Sequence, residues 1–93
     1  MAYKYRALNM KKSQLIKQLI LEDFSNKFAA LKHEVIVETS DEYHFSVTVI
    51  SDAFDNNKLI ERQRMIYSAL GDKFATGEIH ALSIKTFTTK EAN

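Results

Sequence analysis

The sequence predicts an α+β domain: a two-layer sandwich with a three-stranded mixed sheet and both long helices on one of its faces. Three observations carry this expectation. An apolar stripe of helical period runs through residues 10–31. Two runs rich in β-branched and aromatic residues follow it, separated by a short polar turn. A second helical stripe then divides these from a third strand-like run near the end. The order is α-β-β-α-(α)-β. The first two strands form an antiparallel hairpin, and a right-handed helical crossover makes strands two and three parallel neighbours.

Each element rests on its own pattern. In residues 10–31, Leu15, Ile16, Leu19, Ile20, Phe24, Phe28 and Leu31 recur at three- and four-residue spacing, while Lys11, Lys12 and Lys17 fall largely off the stripe. No strong breaker follows, so the helix end near Ala30 is soft. Glu34–Thr39 and Tyr43–Ile50 read as strands joined by the hairpin turn Ser40-Asp41-Glu42. Phe45, Val47 and Val49 share one face, with His44, Ser46 and Thr48 on the solvated one. Ser51–Asn57 is turn chemistry, and Asn56 or Asn57 is placed to cap a helix from Lys58 to about Leu70. Leu59, Ile66, Leu70 and Phe74 lie near one face of that helix, with Ile60 and Tyr67 beside it. Gly71 and Gly77 bracket a short extra helical turn. Glu78–Thr88 is the third strand, with Leu82, Ile84 and Thr86 on the same side as His80. The closing TTKEAN reads as the start of a helical turn.

Composition narrows the function. Ninety-three residues make one small domain, able to bury roughly 60–65% of its unfolded surface but not to enclose a catalytic cavity as well. Residues 1–9 have no clear period and read as a flexible lead-in to a domain over 10–93, with Met10 as a second candidate start. No cysteine is present, which excludes disulfides, thiol nucleophiles and any metal site built on this chain's own thiolates. Thirteen Lys+Arg against twelve Asp+Glu lack the basic excess of a dedicated nucleic-acid binder. The charges are nonetheless segregated: residues 1–17 carry no acid, and His33–Asn57 carry no Lys or Arg. No apolar run reaches membrane-spanning length and no signal-peptide core is present, so the expected compartment is the cytoplasm. No Ser-His-Asp order, phosphate loop or paired-carboxylate motif stands out, and no enzyme is expected.

Three motifs, in order, resemble a known family. His44-Phe45-Ser46-Val47 followed by Val49-Ile50-Ser51-Asp52-x-Phe54 is similar to the second strand and following turn of BolA-like proteins. Arg62-x-Arg64-Met65-Ile66-Tyr67-Ser68-x-Leu70 resembles their central helix, and Ile79-His80-Ala81-Leu82-Ser83-Ile84-x-Thr86-x-Thr88 their last strand. The resemblance implies a class II KH-like α-β-β-α-α-β topology, which agrees with the order read from the pattern. It also implies an adaptor that pairs with a monothiol glutaredoxin and shares a [2Fe–2S] cluster, in iron–sulfur trafficking and iron homeostasis. Some bacterial members are described as DNA-binding regulators of stress and morphology genes. The chain departs from the family in four places. Gln63 stands where the central helix usually has His. Phe54-Asp55-Asn56-Asn57 lacks the usual glycine. Thr88-Thr89-Lys90-Glu91-Ala92 lacks the closing proline and tryptophan. The loop between the first two strands lacks the Cys or His that many members carry, and Asp41 falls nearest that position.

The candidate site residues follow. His80 is the family's most characteristic position and the first candidate metal ligand; by its surroundings alone it reads as a histidine finishing the core edge. His44 is the second, with an exposed strand histidine as its plainer reading. Strand parity puts it on the sheet face opposite His80, so a two-histidine clamp needs the strand end to twist. Asp41 is a hard oxygen donor and a poorer match to iron–sulfur chemistry. His33 has no motif around it and is expected at the surface. Lys58, Arg62 and Arg64 are the candidate nucleic-acid contacts. Lys58 and Arg62 share a helix face, whereas Arg64 lies elsewhere and is placed to pair with Glu61. No GxxG clamp accompanies them.

Overall fold

The chain's apolar stripes and alternations close on one another in a computed structural model that describes residues 11–71 and 81–93. Helix α1 spans Lys12–Lys27 and buries Ile16, Leu19, Ile20 and Phe24. Strand β1 (His33–Glu38) pairs antiparallel with β2 (His44–Ser51), and β3 (Ala81–Phe87) lies parallel to β2, giving the order β1-β2-β3. A 3₁₀ turn over Asp52–Phe54 leads to helix α2 (Leu59–Leu70), and a four-residue helix α3 (Thr89–Ala92) ends the chain. The expected mixed sheet and both expected pairings are present.

Register shows why one sheet face is the core. Val35 lies opposite Val49 and Val37 opposite Val47, while Phe45, Val47 and Val49 align with Leu82, Ile84 and Thr86. Alternate residues point the same way along a strand, so these rows form one apolar surface. Ile16, Ile20 and Phe24 of α1 and Ile66 and Leu70 of α2 join Val35, Phe45, Val47 and Val49 in a single cluster. Burying a side chain of this size is worth about 1.5–3 kcal/mol. The helices therefore cover one face, and the other carries Ser46, Ser83 and Lys85 in solvent.

The structure corrects several details. Helix α1 ends near Lys27 rather than Ala30: Phe28 has φ −131° and ψ 56°, and Leu31 is exposed. No glycine is needed to stop it. Phe28 turns back, its ring meets Phe24 at 5.8 Å, and its carbonyl accepts from His33 Nε2 at 3.1 Å. The first turn of α2 also lies outside the core, with Leu59 62% and Ile60 58% exposed, and Tyr67 is exposed as well. The space is taken by Phe54 from the preceding turn, which is fully buried and edge-on to Phe24 at 5.6 Å. Neither Asn56 nor Asn57 caps α2. Lys58 holds the cap position, Glu61 accepts its N–H at 2.8 Å, and Asn57 Nδ2 donates back to the Ala53 carbonyl.

The closing turn does form. Thr88 Oγ1 accepts the Glu91 N–H at 3.1 Å and the Glu91 carboxylate accepts the Thr88 N–H at 2.8 Å, a reciprocal capping box. Asp52 Oδ1 adds a bond from the Thr89 N–H, tying this end to the 3₁₀ turn. The lead-in over 1–9, the extra helical turn between Gly71 and Gly77, and the start of the third strand lie outside the described residues. Among the described residues, no helix is long and apolar enough to cross a membrane.

Candidate functional site

The turn between β1 and β2 is built around one hydroxyl. Thr39 Oγ1 accepts the Glu42 N–H at 3.0 Å and donates to the His44 carbonyl at 2.6 Å, drawing both sides of the turn inward. Glu42 adopts the left-handed region at φ 57°, a conformation that a non-glycine residue holds only when its surroundings fix it. Its carboxylate is the fixing contact. It accepts the Ser13 N–H at 3.0 Å and the Ser13 hydroxyl at 2.8 Å, capping the first turn of α1 from a distant loop. These two bonds hold the Glu42 carboxyl below its ordinary range, the backbone N–H contributing most. Lys11, at the helix start, has no side-chain acceptor to offer the Ser13 N–H; Gln14 Oε1 accepts the Lys11 N–H locally at 3.1 Å, and the cap on Ser13 comes from the distant loop.

Asp41 sits inside this turn with both oxygens engaged. Oδ1 accepts the N–H groups of Tyr43 and His44, each at 2.9 Å, and Oδ2 lies 2.9 Å from His44 Nδ1. The imidazole contact, followed by the two backbone donors, holds the Asp41 carboxyl well below the usual carboxylate range. His44 is exposed, its ring edge-on to Tyr43 at 5.3 Å, and its Nε2 has no hydrogen-bond partner among the described residues. The ring borders an open hollow of about 870 Å³ whose walls include Glu38, Phe45, Ser46, Leu82 and Ser83. Phe45 and Leu82 belong to the core side of the sheet and His44 and Ser46 to the other. At this end, residues of both parities therefore border one hollow.

The remaining candidates separate. His80 lies outside the described residues. His33 is not a simple surface residue: its Nε2 meets the Phe28 carbonyl and its Nδ1 lies 2.8 Å from Ser51 Oγ, with Phe24 edge-on at 5.5 Å. A carbonyl only accepts, so the proton sits on Nε2 and the Ser51 hydroxyl donates to Nδ1. Both ring nitrogens are engaged, Nε2 holding the end of α1 and Nδ1 joining β1 to the end of β2. Among the described residues no three His, Cys, Asp or Glu side chains converge to hold a metal ion.

Lys58, Arg62 and Arg64 sit in different surroundings. Arg62 makes a bidentate pair with Glu91 at 2.7 and 3.1 Å, donates from Nε to the Asn57 carbonyl, and lies 5.7 Å from the Phe54 ring centre. Its side chain is only 12% exposed, so a phosphate would have to displace Glu91 to reach it. Arg64 is exposed and borders a groove with Phe24, Phe28 and Met65. Its expected partner Glu61 is used at the helix start instead. Pattern reading missed Thr39 and the orienting contact of Asp41. The available signal was a Thr-x-Asp turn with His three residues after the acid.

These features define a small α+β domain that presents the oriented, exposed imidazole of His44 at a strand end. The chain belongs to the BolA-like protein family, whose profile matches residues 10–91. It is 34% identical over 84 residues to the DNA-binding transcriptional regulator BolA of Escherichia coli, covering 83% of this chain and 79% of that one. It is 37% identical over 76 residues to the chloroplastic protein BOLA1 of Arabidopsis thaliana, covering 81% of this chain but 46% of that one. Among solved structures, a bolA protein homologue from Coxiella burnetii matches with a TM-score of 0.66 at 35% identity, over 83% of this chain and 90% of that one.

Proposed function

We propose that this protein is an adaptor without turnover of its own, which pairs with a monothiol glutaredoxin and shares a [2Fe–2S] cluster with it in iron–sulfur trafficking and iron homeostasis. The observation that carries the reading is the His44 imidazole, held at the edge of an open hollow with one nitrogen unengaged among the described residues. Membership of the BolA-like family supports it. The donor set fits a shared cluster: an imidazole suits iron, and this chain has no cysteine, so the thiolates come from the partner. His80 and His44 are the ligands on this side. Exchanging a thiolate for neutral imidazole leaves a less negative ligand set and raises the cluster's potential. Glu38, on an exposed position of β1 beside this hollow, steers a basic partner surface toward this end.

The experiment mixes the protein with cluster-loaded glutaredoxin and follows visible absorption and circular dichroism, with His80→Ala and His44→Ala in parallel. A new spectrum for the wild type that is lost in His80→Ala is expected. No spectral change with any of the three rejects cluster sharing.

The name of the Escherichia coli relative supports a second reading, a DNA-binding transcriptional regulator acting through α2. Lys58 and Arg64 are its exposed cations, while Arg62 is engaged with Glu91. This reading expects duplex binding that falls steeply with salt and weakens in Lys58→Ala and Arg64→Ala. Failure to shift any duplex at low salt removes it.

A further inference from the structure

We propose that Asp41 is the positioning residue that makes His44 a metal ligand, by fixing the proton on Nδ1 and turning Nε2 outward as the coordinating atom. The inference rests on the cluster-sharing reading and adds the atom, the tautomer and the residue responsible for both. A carboxylate only accepts, so the 2.9 Å contact between Asp41 Oδ2 and His44 Nδ1 requires the proton on Nδ1. The lone pair then resides on Nε2. A carboxylate–imidazole pair of this kind is a recurrent support behind a metal-bound histidine: it sets the ring's orientation and raises its basicity as a donor.

The rest of the turn holds Asp41 in place for this task. Its Oδ1 accepts two successive backbone N–H groups, so the carboxylate plane is set by the main chain rather than by the imidazole. Thr39 fixes the chain on either side of the carboxylate, and Glu42 fastens the turn to the start of α1. Asp41 is thereby committed to the turn: Oδ1 accepts two backbone N–H groups and Oδ2 faces the imidazole, which leaves Nε2 of His44 as the donor turned outward. Where the sequence offers Asp41 as an alternative oxygen ligand, the geometry makes it the support for a nitrogen one.

The test has two readouts on the intact chain. Long-range ¹H–¹⁵N correlation of the His44 ring reads its tautomer at a pH where the ring is neutral, without any cluster. The wild type is expected as the Nδ1–H form, and Asp41→Ala as predominantly the Nε2–H form that free imidazole side chains favour. Glu42→Gln, which loosens the helix contact and leaves Asp41 in place, keeps the wild-type tautomer. Titration with cluster-loaded glutaredoxin supplies the second readout: Asp41→Ala is expected to weaken formation of the shared cluster about 10- to 100-fold, in step with His44→Ala. An unchanged tautomer in Asp41→Ala overturns the proposal. So does a switched tautomer when His80→Ala abolishes the shared spectrum while Asp41→Ala and His44→Ala leave it intact; cluster sharing then stands and His44 is not a ligand. If the wild type shows no shared spectrum, the cluster reading fails, the ligand role of His44 falls with it, and the tautomer result reports only on the turn.

Discussion

Replacing Thr39 by Val tests whether one hydroxyl organises the hairpin turn. Valine keeps the branched shape and the strand-end preference but removes the oxygen. Two well-formed bonds disappear, from the Glu42 N–H at 3.0 Å and to the His44 carbonyl at 2.6 Å, together with a longer approach from the Asp41 N–H at 3.4 Å. A typical intramolecular bond contributes about 0.5–1.5 kcal/mol net. Thr39 is half-buried and water reaches part of the turn, so the loss should sit in the lower half of the summed range, about 1–2 kcal/mol. In a domain of this size each kcal/mol lowers the midpoint by roughly 4–8 °C. Urea and thermal unfolding followed by far-ultraviolet circular dichroism measure it, with Thr39→Ser as the variant that keeps the oxygen and stays near wild type. A Thr39→Val protein within about 0.5 kcal/mol of wild type would refute the reasoning. The turn would then be held by Asp41 and Glu42 alone.

Other outcomes follow from the same structure. Phe54→Ala should cost about 3–5 kcal/mol, because it empties a fully buried site against Phe24 and beneath Arg62, and equilibrium unfolding measures it against Phe54→Leu. Thr86→Val should raise stability by about 1 kcal/mol, since the buried Thr86 hydroxyl has no hydrogen-bond partner among the described residues. The Glu91 carboxyl is lowered from 4.5 to about 2, first by the Arg62 guanidinium and then by the Thr88 N–H. A lowered folded-state value means stabilisation that is complete above pH 4.5 and lost as pH falls toward 2. Thermal midpoints of Glu91→Gln should therefore fall less steeply than wild type across that interval, and parallel profiles would contradict the assignment.

The sheet was readable because its code is short-range. Phe45, Val47 and Val49 alternate with polar neighbours, and alternation alone decides which face is inside. The helices were readable to within a turn, yet the end of α1 was not, because the apolar spacing of Phe28 and Leu31 continues the stripe past the point where the chain turns back. What stops it is His33, which bonds the Phe28 carbonyl and reaches Ser51, eighteen positions further along. Phe54 was hidden for a related reason: an aromatic within a segment rich in Asp and Asn reads as turn, and only the packed α1 reveals the vacancy it fills. The site follows the same division. His44 was visible as a residue type on an exposed face. Glu42 reaches Ser13 across 29 positions and Arg62 reaches Glu91 across another 29, so neither contact leaves a local mark in the sequence.

The parallel alignment of β2 with β3 sets His44 opposite Ala81, the residue that follows His80. A hairpin assembles from neighbouring segments as soon as they exist, whereas a parallel pair waits for its crossover. During synthesis the imidazole on β2 therefore appears well before the strand that completes its surroundings. A stalled or clipped chain would carry the hairpin without its flanking strand, and the hollow beside His44, which Leu82 and Ser83 help to wall, would be left incomplete.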